Sequence, residues 1–581
     1  MKQFFKFLFA SMLGFILANV LIFFIFIMII AGIAATANHE FTLKDNSVFH
    51  LKLDGEVIDR SKNDMYQEFF SSVNTSRLGL DDILLSIEKA KNNNKIKGIY
   101  LETDFSAIGI SSAREIRNAL IDFKKSDKFI VAYGGVYTQT AYYIASVADK
   151  IILNPHGMLE FQGLSVSPVF YKGALDKLGI EMQLVKVGSY KSAPERYTNT
   201  EMSEENRTQV TAFLSSIWNT MTAEIAATRH VSKEQLNEYA DEALTFSLAE
   251  KAVANRLVDT LLYKDEVDSI LAKYIGDEAK YVSLAEMKTV PNTKQDLVSD
   301  KIAVVYALGA IDAGFGGEEN ISSEDLAKTL LEVKDDDNVR AVVLRVNSPG
   351  GSAYGSEQIW RAVSLVREKK PVIVSMGDYA ASGGYYISCA ADRIVAQPTT
   401  LTGSIGIYGL IPNVQGLTDK LGITYDVVKT NDLADMPAIN RPFTEREHSI
   451  MQAYVNEGYE LFVKRCADGR QKTADEIKAI AEGRVWTGAD AIEIGLADTL
   501  GGLSDAIRIA AETAGVEKYR TAEYPEKKEF LQELLESLNG GVQAKILQMQ
   551  LGDNYKHYLM LKNAAQMNKI QAILPLDLEI K

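Results

Sequence analysis

The stretch IVSMGDYAASGGYYISCAAD at residues 373–392 has a counterpart in the same chain, IVAYGGVYTQTAYYIASVAD at residues 130–149, displaced by 243 positions. Extended without gaps, that shift lays residues 97–150 on residues 340–393. Of the 54 pairs, 11 are identical, where about three would be expected from ordinary residue frequencies. The same shift places Leu178-Gly179-Ile180 on Leu421-Gly422-Ile423 and Val185-Lys186 on Val428-Lys429. Self-similarity at one fixed displacement marks a domain written twice. The copies span about 46–290 and 300–520 and meet in a polar stretch at Pro291-Asn292-Thr293, which suits a linker.

Within each copy, short β-branched runs alternate with amphipathic segments. In the second, residues 302–306, 341–346 and 372–376 have the length and content of buried strands, while 323–333 and 356–367 carry apolar residues at helical spacing. Such alternation predicts α/β domains with largely parallel sheets. Beyond Tyr524, residues 529–538 and 542–551 predict amphipathic helices. Residues 521–581 therefore read as a helical extension, with a loose tail at Leu574-Pro575-Leu576.

Composition narrows the function. With 581 residues, 47% of them apolar, the chain can bury more than one core. A net charge of −15 without a basic stripe argues against a nucleic-acid partner. Residues 7–38 contain no charge, and the apolar run 8–35 can span a bilayer. Lys2 and Lys6 precede it, so the positive-inside bias keeps the N-terminus cytoplasmic and sends the body across the membrane. Ala35-Thr36-Ala37 has the form of a signal-peptidase site, but the run is longer than a signal-peptide core. Residues 1–38 thus read as a cytoplasmic stub and uncleaved anchor. Two cysteines, Cys389 and Cys466, exclude a disulfide framework, and the sequence leaves open whether they meet.

The copies diverge where chemistry is expected. After the strand at 341–346 the second copy reads Asn347-Ser348-Pro349-Gly350-Gly351-Ser352, where the first has Asp104-Phe105-Ser106-Ala107-Ile108-Gly109. Paired glycines let backbone N–H groups face a developing anion; a plain tight turn is the alternative. The next strand runs into Ser382, set among small residues at a strand-to-helix junction, where the first copy has Gln139. Helix capping is the commoner role for such a serine. Its nearness to the Gly-Gly turn, at strand ends where α/β sheets collect ligands, favours a nucleophile. None of the histidines (His39, His50, His156, His230, His448 and His557) stands in a catalytic or metal-binding motif, and no cofactor or metal is called for. A desolvated lysine can act as base instead. Lys191, in Gly188-Ser189-Tyr190-Lys191-Ser192-Ala193, has the unusual setting and falls on Ala434 in the second copy. For any single lysine a solvated surface charge is the ordinary reading.

Together, Asn347-Ser348-Pro349-Gly350-Gly351, the run Gly377 to Tyr386, Thr402-Gly403-Ser404-Ile405-Gly406 and Gly188 to Ala193 resemble the signal peptide peptidase A (protease IV) family in its long two-domain form. The resemblance implies a ClpP/crotonase-like fold in each half behind an N-terminal transmembrane helix. It also implies a homo-oligomeric (tetrameric) bowl opening toward the lipid bilayer of the bacterial inner membrane, with the body periplasmic, and cleavage of remnant signal peptides. Carried onto this chain, it makes Ser382 the nucleophile, Lys191 the general base and Ser404 the residue that orients the lysine. Gly351 and Gly383 follow as oxyanion-hole donors. Phe161 stands in the first copy where Ser404 stands in the second. A crotonase-type enzyme acting on thioesters and a non-enzymatic membrane scaffold are the competing readings. Whether Lys191 serves a serine in its own chain or a neighbour's stays open.

Overall fold

The computed structural model describes residues 41–61, 77–291, 298–314, 320–527 and 570–573, with helical positions scattered between residues 3 and 28. Among the described residues no helix is long and apolar enough to cross a membrane. Much of the anchor expected at residues 7–38 lies outside them, as do the helices expected at 529–538 and 542–551.

Both halves are α/β units built on parallel sheets. In the first half Ser47–Ile58, Ile96–Ala107, Phe129–Tyr137 and Lys150–Leu159 pair in that order, with Arg77–Gly79 and Thr260–Leu261 at the ends and Lys280–Ser283 beside the first strand. In the second, Lys301–Leu308, Val339–Ser348, Val372–Ala381 and Arg393–Ala396 repeat the pattern. Element starts keep the sequence displacement: helices Leu80–Asn92 and Ser323–Asp335, Ile110–Lys124 and Ala353–Arg367, and Lys172–Leu178 and Gln415–Lys420 each begin 243 residues apart. The central strands read as near-continuous Val, Ile and Leu because helices cover the sheet faces. Ile302, Val342, Val343, Leu344, Ile373 and Val374 are accordingly fully buried.

Past residue 520 the chain departs from the helical extension expected there. Arg520–Tyr524 is a strand, added in parallel to Lys301–Leu308, and Ile570–Ile573 is another. The competing force is sheet completion, since an unpaired edge leaves backbone N–H and C=O groups without partners. Cys389 and Cys466 are buried and unbridged, yet near enough that Cys389 adds to the burial that raises the Cys466 thiol pKa, so they do approach each other.

A third sheet belongs to both halves: Glu181–Lys186 of the first pairs antiparallel with Tyr408–Asn413 of the second. A buried ionic cluster joins them elsewhere. Arg345 in the second half's central strand donates to Asp59 at 2.6 Å and lies 2.7 Å from Glu115, both from the first half. Asn347 donates to the same Asp59. Burial opposes the Arg345 charge, but the Glu115 and Asp59 carboxylates outweigh it and raise its pKa. Asp378 accepts from Ser111 N at 2.7 Å and Ser112 Oγ at 2.6 Å, fixing the start of the first half's helix Ile110–Lys124.

Removing one partner of a buried ion pair leaves an uncompensated charge, at a cost of about 3–5 kcal/mol. Arg345→Leu is therefore expected to lower the unfolding free energy by about that amount, measured by denaturant titration. A change under about 0.5 kcal/mol, as for a surface substitution, would show that the cluster does not hold the halves together.

Candidate active site

Ser382 ends the strand Val372–Ala381 and precedes the helix Gly383–Ser388 with φ +55° and ψ −114°. This backbone conformation is costly for a residue with a Cβ. It is held by Ser382 N donating to Gly403 O at 2.8 Å and Tyr386 N donating to Ser382 O at 2.9 Å. The hydroxyl makes no capping bond to the helix. It is turned instead toward a lysine.

That lysine is Lys191, in the loop after Glu181–Lys186. Its Nζ lies 2.8 Å from Ser382 Oγ, 3.0 Å from Ser404 Oγ and 3.2 Å from Ser404 O. All three residues are fully buried. The structure thus brings together, within one chain, a lysine from the first copy and two serines from the second. Burial holds the Lys191 ammonium well below the ordinary lysine range, and no carboxylate is among its hydrogen-bond partners.

Two glycines make room for the amine. A Cβ on Gly483, where φ is +78°, would lie 2.6 Å from Lys191 Cβ, and one on Gly406 would lie 3.3 Å from Lys191 Cδ. Beneath the loop a buried polar group sets its path. Gln209 of the helix Glu204–Arg229 donates to Tyr190 O at 3.1 Å and Ser192 Oγ at 3.0 Å, and accepts from Val485 N in the second half at 3.1 Å. Asn206 accepts from Ser192 Oγ at 2.9 Å and donates to Glu195 at 3.0 Å. Sequence reasoning missed Gly483, Gln209, Asn206 and Glu195. Nothing local distinguishes a buried glutamine or a distant glycine from its exposed counterparts.

The glycines expected to face the reacting carbonyl also converge. Gly351 lies in the strand Gly350–Ser352, and Gly383 opens the helix after Ser382. A Cβ on Gly383 would lie 2.6 Å from Ser356 Oγ and 3.1 Å from both Gly351 N and Gly350 Cα, so a side chain there would push these neighbours apart. The structure sets a hydroxyl against a desolvated amine and packs two glycine-bearing backbone segments beside the serine. A nucleophilic attack on a carbonyl needs these parts.

Comparison with known proteins agrees with this chemistry. The profile described as peptidase family S49 matches twice, at residues 122–276 and 364–517, and a Clp protease profile matches residues 305–400. The chain is 34% identical over 548 residues to Protease 4 of Salmonella typhi, covering 90% of this chain and 88% of that one. It is also 34% identical to Protease 4 of Haemophilus influenzae, over 80% of this chain and 78% of that one. To the chloroplastic serine protease SPPA of Arabidopsis thaliana it is 31% identical, over 82% of this chain and 70% of that one. Two matched domains and relatives that align over most of the chain lead to one conclusion: this chain belongs to peptidase family S49 and is a serine peptidase.

Proposed function

We propose that this peptidase works through a dyad of Ser382 and Lys191, and that its substrates are apolar peptides at a membrane, as released signal peptides are. One observation carries the dyad. A neutral amine has two N–H bonds and one lone pair, and Lys191 has three contacts. The Ser404 carbonyl can only accept, so it takes one N–H, and Ser404 Oγ can take the second. The lone pair is left for the Ser382 hydroxyl proton. As Ser382 Oγ attacks the scissile carbonyl, Lys191 receives that proton. It then returns it to the leaving amine, and repeats the transfer with water to free the acyl group. Gly351 N–H and Gly383 N–H face the oxyanion. Anchoring of residues 1–38 in the bacterial inner membrane, with the body periplasmic, follows from the charge-free run 7–38.

The repeat also supports assembly. Within the chain, Gly409 pairs with Val185 and Tyr408 with Lys186. Moving both partners to the other copy by the 243-residue displacement matches residues 165–170 with residues 424–429 of a second chain. Neither segment is a strand here. They expose Val169 (55%), Tyr425 (51%), Val427 (46%) and Val428 (96%). Head-to-tail pairing of this kind closes into a ring where its rotation divides a full turn, as the expected tetramer requires. Gln139, Phe161 and Ala434 stand at the second interface where Ser382, Ser404 and Lys191 stand at the first, so each chain contributes one active site.

Ser382→Ala should lower peptide hydrolysis by at least about a thousandfold without loss of fold, and a fluorophosphonate should label wild type at one serine per chain. Survival of more than a few per cent of turnover would assign the nucleophile elsewhere.

Because burial depresses the Lys191 pKa, activity should fall as pH drops through it, and an acid limb indistinguishable from that of a carboxylate near ~4 would count against a lysine base. The folded state binds fewer protons than the unfolded state between the two lysine pKa values, so stability rises with pH in that window. Lys191→Met should abolish activity yet unfold at a higher temperature than wild type near neutrality, the gap narrowing toward alkaline pH. A Met variant less stable than wild type at neutral pH would contradict a neutral buried lysine.

The ring is tested by cysteines at Val166 and Val428, which the displaced register sets opposite each other. The double variant should form intermolecular disulfides, whereas a Val169 and Val428 pair, out of register, should not. Equal crosslinking of both pairs, or a monomer by light scattering, overturns it.

A further inference from the structure

The sheet shared by the two halves is completed by the chain's own C-terminal segment. Ile570–Ile573 lies antiparallel between Gly350–Ser352 and Tyr408–Asn413. Ile573 is opposite Gly350, Ala572 opposite Gly351, Gln571 opposite both Ser352 and Tyr408, and Ile570 opposite Gly409. Those two flanking strands are joined in the sheet only through it. Take the segment away and they face each other across a groove one strand wide, offering backbone N–H and C=O groups about 4.8 Å away on either side.

This groove runs past the nucleophile. Gly351, on one wall, approaches Gly383, the residue after Ser382. The other wall begins at Tyr408, four residues beyond Ser404 in the sequence. Strand addition between such walls is a general way to hold an extended peptide, with the main chain supplying the affinity. The backbone at 570–573 fills the slot between those two walls.

We infer that Ile570–Ile573 is an intramolecular ligand of the peptide groove and keeps the enzyme self-occupied until substrate displaces it. The inference rests on the peptidase reading of this site. A tethered strand competes at an effective concentration on the order of a millimolar. The apparent affinity for free peptide falls by the fraction of sites that the tail leaves open. Self-occupancy thus raises KM and leaves kcat almost unchanged, because the bound substrate meets the same dyad.

The test uses the full chain carrying Gln571→Pro and Ala572→Pro, since proline removes the N–H groups that such a strand needs on both sides. Against wild type, KM for a short apolar fluorogenic peptide should fall about three- to tenfold, with kcat within about twofold. Separately, a fluorescent peptide of residues 567–577 is titrated onto Ser382→Ala chains with and without the proline pair, an assay that needs no turnover. Binding should be tight only when the tail carries the prolines. Equal KM in the two active chains, or equal peptide binding with native and proline-bearing tails, overturns the inference. Should neither chain hydrolyse peptide, the peptidase reading fails, and the binding comparison still decides whether the tail fills the groove.

Discussion

A lysine buried without a counter-charge is the constraint to which the site answers. Taking an ammonium out of water is expensive, and a group so placed sheds its proton when no carboxylate repays the cost. Lys191 has hydroxyl and carbonyl oxygens for hydrogen-bond partners and is fully buried. The same desolvation that lowers the amine's pKa makes its position hard to maintain. Everything around it serves that position: the cleared volume at Gly483 and Gly406, and the Gln209 amide that ties the lysine loop to Val485.

Since Lys191 and Ser382 come from different copies of one domain, their contact depends on how rigidly the copies dock. Arg345 with Asp59 and Glu115 supplies a fixed reference, and Asp378, four residues before Ser382, grips the other half's helix at Ser111 and Ser112. Burial raises the pKa of both Glu115 and Asp378, and the facing donors partly offset it. These charges are poorly placed for stability alone, because a well-packed apolar cluster of equal volume would often hold as well. Their directionality sets a docking geometry, which a hydroxyl–amine distance of 2.8 Å requires.

Duplication followed by complementary loss accounts for the asymmetry. One copy keeps the lysine and has Gln139 and Phe161 at the serine positions; the other keeps both serines and has Ala434 at the lysine position. Phe161 packs edge-on against Tyr142 at a ring separation of 6.2 Å, so the vacated polar site in the first copy has become core. The strain at Ser382, of order 1–3 kcal/mol for such a backbone, occurs in the copy whose hydroxyl meets Lys191. The corresponding Gln139 opens an ordinary helix capped by the Thr138 side chain.

The amino-acid sequence by itself determined the duplicated α/β architecture, because strand length, β-branched content and helical spacing are local properties that repeat at one displacement. It also singled out Ser382 and the Gly350-Gly351 turn, since small residues at a strand end are a local requirement for backbone donors to reach a ligand. For Lys191 local chemistry argued the other way, and only the resemblance of four linked motifs pointed to it. Its burial is a property of the surface opposite, formed by Ser382, Ser404, Gly406 and Gly483, the nearest of them 191 positions away. Tertiary structure alone decided that Gly483 and Gln209 support the lysine, that Cys389 and Cys466 approach without bridging, and that Arg520–Tyr524 and Ile570–Ile573 are strands. In each case the deciding quantity is what packs against the residue. Desolvation, docking and strand pairing arise between segments remote in the chain, so no window of sequence contains them.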